Sequence, residues 1–325
     1  MITRRRVLQS AAVAVTAGTG LGGYAFAVEP AWLTVQRYRI SPSNWPRDLK
    51  LRVAILADLH IGFPVVTLDR LRGMVERTNA EAPDIVLLLG DFEAAHRLSR
   101  RYPKSAWARE LARLQAPLGI HAILGNHDWW EDRKLQFTRK GPTPVGQALD
   151  AVGIPTLEND AVRLVHNGQP FWLLGLGDQW AFYLDEHGNP KQGRFDFIGV
   201  DDLSGTLAKI TDDAPAILMV HEPDVFPEVP DRVALTVAGH THGGQVQFMG
   251  WAPVVPSRFG TRYAYGHVIE PAQSTTQNDG SSGSRHLVVS GGLGCSGLPV
   301  RFGRPPEIVV IDLHGEPKRK QSDSA

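Results

Sequence analysis

The chain has 325 residues, of which 42% are hydrophobic and 21% are charged, and these proportions are ordinary for a folded soluble protein. Its 34 Lys and Arg residues balance its 34 Asp and Glu residues, which excludes a global basic field, so no specific nucleic-acid binding is expected. The single cysteine, Cys295, cannot form an internal disulfide, so the fold does not depend on an oxidising compartment.

The first 27 residues resemble an export signal. Three arginines, Arg4 to Arg6, precede an uncharged run of Ala, Val, Thr and Gly, and the triplet Ala25-Phe26-Ala27 follows. An arginine pair set one residue before Val7-Leu8 is similar to the twin-arginine signal of proteins that fold before export. We therefore expect a twin-arginine translocase as partner and a location in the periplasm or on the outer face of the cytoplasmic membrane. An uncleaved N-terminal anchor is the alternative, although the run is weakly apolar for a permanent span.

Beyond this segment, short apolar runs alternate with amphipathic stretches. The runs are rich in Val, Ile and Leu and too short for helices, so they are interpreted as buried strands. They are 51–57, 85–89, 122–124, 171–176, 216–220, 233–238, 286–290 and 308–313. Apolar residues at helical spacing predict helices around Leu71, Leu111 and Leu149. Strand and helix alternate early and strands crowd together later, which predicts α/β layering around two packed sheets.

Two further segments are predicted to be irregular. Residues 273–285 are rich in Ser, Gly, Thr and Asn without periodicity, which indicates a flexible loop. Residues 316–325 are polar and indicate a frayed tail. No domain boundary is evident, so residues 28–325 are predicted to form a single domain.

Five of the predicted strand ends carry side chains of the kinds that bind metals. They are Asp58 with His60, Asp91, Asn126 with His127 and Asp128, His221, and His240 with His242. Loops beyond the carboxyl ends of strands are where an α/β sheet gathers a ligand site. If the chain stays extended, both side chains within Asp58-x-His60 and within His240-x-His242 point toward one ion. Carboxylate and imidazole groups without thiolate favour Mn, Fe or Zn.

This ordered set of Asp-x-His, Gly-Asp, Gly-Asn-His-Asp, His and Gly-His-x-His resembles the calcineurin-like metallophosphoesterase superfamily over about residues 51–313. The stretches 221–224, 238–245 and 292–307 are similar to its YkuE/YaeI-like phosphodiesterase branch, which includes members with twin-arginine signals. The resemblance implies a four-layer αββα sandwich, with two mixed sheets flanked by helices and two divalent metal ions at the strand ends.

The resemblance also implies a role for each motif residue. One ion would be held by Asp58, His60 and His242, the other by Asn126, His221 and His240, and Asp91 would bridge both. A hydroxide shared by the ions would attack the phosphorus in line. His127 would stabilise or protonate the leaving oxygen. Asp128 would either orient the His127 ring or only cap its turn.

The expected activity is hydrolysis of a phosphodiester outside the cytoplasm, and the substrate could be a lipid or another envelope-derived phosphoester. A pyrophosphatase of the UDP-diacylglucosamine type and a non-catalytic metal-binding scaffold are the alternatives. The stretch Phe92-Glu93-Ala94 lacks the Asp and Arg that phosphoprotein phosphatases carry there, which argues against protein-phosphatase activity. Asp178 follows a predicted strand as the ligands do, and without a companion ligand it is interpreted as a turn residue.

Arginines and tryptophans near these motifs have two interpretations each. Arg258, Arg262 and Arg301 are candidates for binding the phosphate, and a surface or structural role is favoured for each. Trp130 and Trp180 could line a substrate cleft, and packing of the loop that holds His127 is the favoured interpretation.

Overall fold

The computed structural model describes residues 3–4, 9, 16, 18–94, 98–139, 141–183, 189, 193, 196–273 and 283–315. Residues 1–2, 5–8, 10–15 and 17 of the predicted export signal, most of the predicted loop 273–285 and all of the predicted tail 316–325 lie outside these described residues. Within the described ranges, no helix is both long enough and apolar enough to cross a membrane.

Eleven strands of the described chain form two mixed sheets. They are β1 (Thr34–Ile40), β2 (Leu51–Leu56), β3 (Ile85–Leu89), β4 (Ile120–Ile123), β5 (Asp160–His166), β6 (Gln169–Gly175), β7 (Ala216–Met219), β8 (Val233–Ala238), β9 (Gly266–Pro271), β10 (Ser284–Val289) and β11 (Glu307–Leu313). The first sheet has the order β1-β11-β2-β3-β4 and the second β5-β6-β7-β8-β10-β9. Strands β2, β3 and β4 run parallel in the first sheet, and β6, β7, β8 and β10 run parallel in the second.

The two sheets pack face to face through an apolar core. Successive residues of a strand point to opposite faces, so Ile55 of β2 lies between the sheets while Leu56 faces outward. On the second sheet, Ile217 of β7 contributes to the inner core and Leu218 to the outer one. Both faces of each sheet are therefore covered, which is what continuous apolar strands require.

Helices cover the outer faces of both sheets. Their bounds are Leu68–Ala80, Lys104–Leu111, Asn126–Trp130, Arg133–Thr138, Pro144–Asp150 and Leu203–Ala208, with a 3-10 helix at Pro223–Glu228. The first begins where the Thr67 side chain accepts a hydrogen bond from Arg70 N, and it buries Leu71 and Val75. Layers of helix, sheet, sheet and helix follow, and the predicted αββα sandwich is confirmed.

The eight predicted strands are present with ends within about two residues, whereas β1, β5 and β9 were missed. All three missed strands lie at sheet edges, where partial exposure breaks the continuous apolar run that identified the others. The predicted loop 273–285 is also too long, because Ser284 and Arg285 already belong to β10. Arg285 pairs with Glu270 of the neighbouring strand and is buried.

The segment before β1 packs against the loop that precedes β11. A π-helix at Tyr24–Val28 leads into a 3-10 helix at Glu29–Ala31. Ala25 O accepts a hydrogen bond of 2.9 Å from Arg301 N, and the Tyr24 ring meets the Phe302 ring edge-on. Glu29 Oε1 accepts one of 2.6 Å from Arg304 N. The end of the predicted signal therefore contacts the folded domain.

Candidate metal centre

The candidate ligands follow the carboxyl ends of strands in both sheets. Asp58 and His60 follow β2, Asp91 follows β3, Asn126 follows β4, His221 follows β7, and His240 and His242 follow β8. All seven side chains are buried. Parallel strands bring these loops to one edge of the sandwich, where the two sheets together supply one site.

The backbone of these loops is not extended, although the argument from residue alternation had assumed that it was. Asp58 and His60 still belong to one group of ligand atoms as expected, whereas His240 and His242 belong to two. Asp58, His60, Asp91, His240 and His242 all have left-handed backbone, with φ between 41° and 67°. Non-glycine residues rarely adopt this conformation, and it persists where the surrounding structure over-determines it, as at functional sites. The conformation turns the two histidines of His240-x-His242 toward different partners.

Asp58, His60 and His242 form a first group of converging ligand atoms. Nε2 of His60 lies 3.1 Å from Nε2 of His242, which lies 3.5 Å from Oδ1 of Asp58. The two imidazole rings are stacked with centroids 5.0 Å apart. Buried imidazole and carboxylate atoms within 4.8 Å of one another can hold a cation.

A second group surrounds Nδ1 of His240, which lies 3.0 Å from Oδ1 of Asn126. One ligand atom each of His221, Glu222 and His240 lies within 4.8 Å of the others. Asp91 stands between the two groups, because its Oδ2 is 3.5 Å from His60 Nε2 and 3.4 Å from His221 Nε2. A carboxylate in this position can contact two cations and offset their mutual repulsion.

The hydrogen bonds and charges of the imidazoles fit a metal site. Nδ1 of His60 donates to Glu93 O and Nδ1 of His221 donates to Leu89 O, so Nε2 of each ring faces Asp91. Burial lowers the pKa of His60 to about 4, which keeps this ring in the neutral form that binds metals. Burial alone would lower the pKa of His221, but the attraction of Asp91 is larger and raises the pKa well above its ordinary value. Positive charge is therefore favoured at the His221 ring.

Asp128 ties two of the ligand loops together. Its carboxylate accepts hydrogen bonds of 2.9 Å from the backbone N–H groups of Asp91, Phe92 and Gly125. None of its bonds to described residues reaches the His127 ring. Of the two roles considered for Asp128, the structure therefore favours the cap, and the orienting role falls to other groups.

His127 lies beside the first ligand group, with its ring 5.2 Å from the ring of His60. Its Nδ1 is 3.8 Å from Glu131 Oε1, and its Nε2 is 3.5 Å from Ser296 Oγ. Burial lowers the pKa of His127, but Asp91 and then Glu131 raise it above its ordinary value. Sequence reasoning missed Glu131, although its spacing of four residues within a helical turn is a usable signal.

Glu222 and Asp178 form a buried acidic pair beside the second group, which sequence reasoning also missed. Glu222 Oε1 lies 3.8 Å from His240 Nδ1 and has no hydrogen-bond partner among the described residues. Burial, and then repulsion by Glu222, raise the pKa of Asp178 far above its ordinary value. Asp178 Oδ1 accepts a hydrogen bond of 2.8 Å from Trp180 N, as expected of a turn residue, and the carboxyl group of Asp178 also lies beside that of Glu222.

Glu222→Gln is expected to weaken metal binding at the second group about 10- to 100-fold, because an unpartnered carboxylate oxygen aimed at the site is replaced by a neutral amide. Calorimetric titration of the metal-free protein with Mn²⁺ measures this change directly. Glu110→Gln, which alters a partly buried ion pair with Arg72, is the matched control. An unchanged affinity in Glu222→Gln would show that Glu222 acts only in packing.

Arg301 is fully buried, and backbone carbonyl groups accept most of its hydrogen bonds. Its Nε and Nη2 donate to Gly294 O, and its Nη1 donates to Gly291 O and to Arg304 O. Its Nη2 also lies 3.3 Å from Nδ1 of His242. The geometry favours the structural role, because the hydrogen bonds of Arg301 hold the backbone of the loop 291–304 in place beside His242.

Asp91, Asn126, His240 and His242, four of the seven candidate ligands, line a cavity of about 510 Å³. Trp130, Trp180, Val254, Leu298 and Val300 are among its walls. The described residues that line it include no Lys or Arg, so none of the three candidate arginines reaches it. The packing interpretation of Trp130 and Trp180 is incomplete, because both rings stack on Phe197 and also face the cavity.

Two packed mixed sheets with a cluster of carboxylates and imidazoles at their strand ends define a metal-dependent hydrolase. The calcineurin-like phosphoesterase family model matches residues 51–244, which is more than half of the chain. The chain therefore belongs to the calcineurin-like phosphoesterase family, and it is a metal-dependent phosphoester hydrolase.

Relatives align with nearly the whole chain. The uncharacterized metallophosphoesterase YkuE of Bacillus subtilis is 29% identical over 320 residues, which cover 96% of this chain and 98% of YkuE. Phosphodiesterase YaeI of Escherichia coli is 27% identical over 316 residues, with 96% and 100% covered. An uncharacterized metallophosphoesterase of Aquifex aeolicus is 27% identical over 299 residues, with 91% and 97% covered.

Proposed function

We propose that this hydrolase is a phosphodiesterase that uses two divalent cations, Mn, Fe or Zn, and acts outside the cytoplasm. The observation that carries the dinuclear centre is the position of Asp91 between two groups of ligand atoms. Similarity to phosphodiesterase YaeI over the whole chain supports the reaction class. The three-part pattern of residues 1–27 supports export by the twin-arginine translocase.

The preference for a diester rests on the charge of the cavity. A phosphomonoester brings a second negative charge near neutral pH, and the described lining residues offer no Lys or Arg to offset it. A diester brings one charge and two organic groups, which the apolar walls can contact. The filled ligand positions together with His127 favour an enzyme over a metal-binding scaffold.

Each side chain has a distinct task in this proposal. Bound cations would supply an activated water and would offset charge on the phosphoryl oxygens. His127 would donate a proton to the leaving oxygen, with Glu131 beside its Nδ1 and Ser296 beside its Nε2. Asp128 would keep Asp91 in place through the Asp91 N–H.

The test compares a synthetic diester with its matching monoester, using purified protein loaded with Mn²⁺. We expect faster cleavage of the diester, and loss of activity when a chelator is added. His127→Ala is expected to lower diester turnover roughly 10²- to 10⁴-fold while the bound metal, measured by elemental analysis, stays the same. General acid catalysis is lost in this variant, whereas the metal ligands remain.

His121→Ala is the matched control, because this histidine lies in β4 and its ring meets the carbonyl of Leu118. Its turnover should match that of the parent protein. A preference for the monoester, or full activity in His127→Ala, would contradict the proposed function.

A further inference from the structure

The walls of the cavity continue outward into an exposed apolar rim. Val254 and Leu298 line the cavity and are also exposed at its mouth. The turn at 248–251, which precedes Val254 in the chain, is closed by hydrogen bonds between Phe248 and Trp251 in both directions. Phe248 and Trp251 are exposed, and Met249 between them is 92% exposed. Large apolar side chains gathered around the mouth of a site usually mark a surface that is covered in use.

A second apolar groove joins this mouth to the N-terminal segment. It is lined by Leu21, Gly22, Ala25, Val246, Phe248, Val300 and Phe302. Val246 and Val300 also line the cavity, so one apolar surface runs from the metal centre to Leu21. None of these groove residues is charged. The chain that precedes Gly18 is itself uncharged from Val7 to Ala17.

We propose that this mouth, comprising Phe248, Met249, Trp251, Val254 and Leu298, docks on a lipid bilayer, and that the substrate is a phosphodiester lipid drawn from it. This inference rests on the proposed phosphodiesterase function. The lipid phosphate would reach the ligand groups around Asp91 while an acyl chain lies along Val246, Val254 and Val300. Trp251 suits this position because an amphipathic indole is favoured at the membrane interface.

Two observations favour a bilayer over a soluble partner. The apolar surface is continuous with the catalytic cavity, so whatever covers the rim also supplies or blocks the substrate. The same apolar surface also includes Leu21, Gly22 and Ala25, which follow the uncharged run 7–17 in the chain. If this run is not cleaved from the protein, it would lie at the same membrane. A soluble nucleotide could stack on Trp130 and Trp180, but it would leave Met249 and Trp251 uncovered.

The reaction is a simple hydrolysis. The oxygen of water forms a bond to phosphorus and releases a proton to solvent, and one phosphorus–oxygen ester bond breaks. The leaving oxygen takes a proton from His127, which regains one from solvent. The products are one phosphomonoester and one alcohol, and no oxidant or further reactant is needed.

The experiment compares two substrates and two variants of the full chain loaded with Mn²⁺. The substrates are a soluble synthetic diester and vesicles of phosphatidylethanolamine and phosphatidylglycerol. For Met249→Glu/Trp251→Glu, we expect the ratio of vesicle to soluble-diester turnover to fall about tenfold or more, and co-sedimentation with vesicles to weaken in parallel. The control Val165→Glu replaces another exposed apolar residue, at the end of β5 away from the ligand loops, and should keep the parental ratio.

The possible outcomes distinguish failure of the docking inference from failure of the proposed phosphodiesterase function. If the parent protein cleaves the soluble diester but not the vesicle lipid, the docking inference fails and the phosphodiesterase stands. An unchanged ratio in the double variant also overturns the docking surface. If neither substrate is cleaved, the proposed function itself fails. Thermal denaturation of both variants shows whether they keep the parental fold.

Discussion

Asp91→Ala is expected to remove bound metal and diester hydrolysis together. Turnover should fall roughly 10³- to 10⁴-fold, since several kcal/mol of transition-state stabilisation depend on the bound cations and each 1.36 kcal/mol is a factor of ten. The effect should be at least as large as that of His127→Ala, because Asp91 faces both ligand groups, whereas His127 faces only the first.

The charges and hydrogen bonds around Asp91 also predict that its removal disturbs both groups of metal ligands. Its Oδ1 accepts a hydrogen bond of 2.9 Å from His127 N, while its Oδ2 faces His60 and His221. Burial alone would raise the pKa of Asp91, but attraction to His221 and then to His127 lowers it well below its ordinary value. The carboxylate is therefore charged at neutral pH and attracts cations.

Elemental analysis and turnover of the same preparation check this prediction. Asp312→Asn, which removes a carboxylate in a half-exposed ion pair with Arg52, is the control and should keep both metal and activity. If Asp91→Ala retains both metals at parental stoichiometry, Asp91 does not bridge them, and the dinuclear interpretation would have to be abandoned.

The sequence predicted the two-sheet fold and the positions of the candidate ligands because both depend on local signals. Buried strands such as β3 appear as unbroken apolar runs, and Asp91 follows that run directly. Three of the four edge strands were missed, and β1 and β5 show why, because their partly exposed residues form no short apolar run. Pairing with a neighbouring strand, and not the strand's own composition, establishes them as strands.

The finer geometry of the site could not be predicted for a different reason. Left-handed backbone at Asp58 and His240 depends on contacts between loops, such as the hydrogen bonds from His240 N to the Asp58 carboxylate. Glu222 and Asp178 are likewise 44 positions apart in the chain, and only folding brings their carboxyl groups together. Single-sequence patterns carry no information about such distant pairs.

Gly125→Ala is expected to disrupt the metal centre by steric clash alone. A Cβ at Gly125 would lie 2.5 Å from Asp91 Oδ1 and 2.6 Å from His221 Nε2, and both atoms belong to buried candidate ligands. The backbone of Gly125 has φ −110° and ψ 173°, which any residue adopts, so no backbone strain is involved. We therefore expect loss of bound metal and a fall in turnover comparable to that of Asp91→Ala.

Gly73→Ala provides the matched control for this steric argument. Gly73 is exposed within the helix Leu68–Ala80, and a Cβ there would meet no atom within 4 Å. This variant should keep full activity and gain about 0.4–1 kcal/mol in the free energy of unfolding, because alanine reduces the conformational freedom of the unfolded chain. Metal content and urea denaturation, measured for both variants, test this steric argument. Parental metal content in Gly125→Ala would mean that Asp91 and His221 can move apart without loss of the cations, and that the centre is far less rigid than its packed ligands indicate.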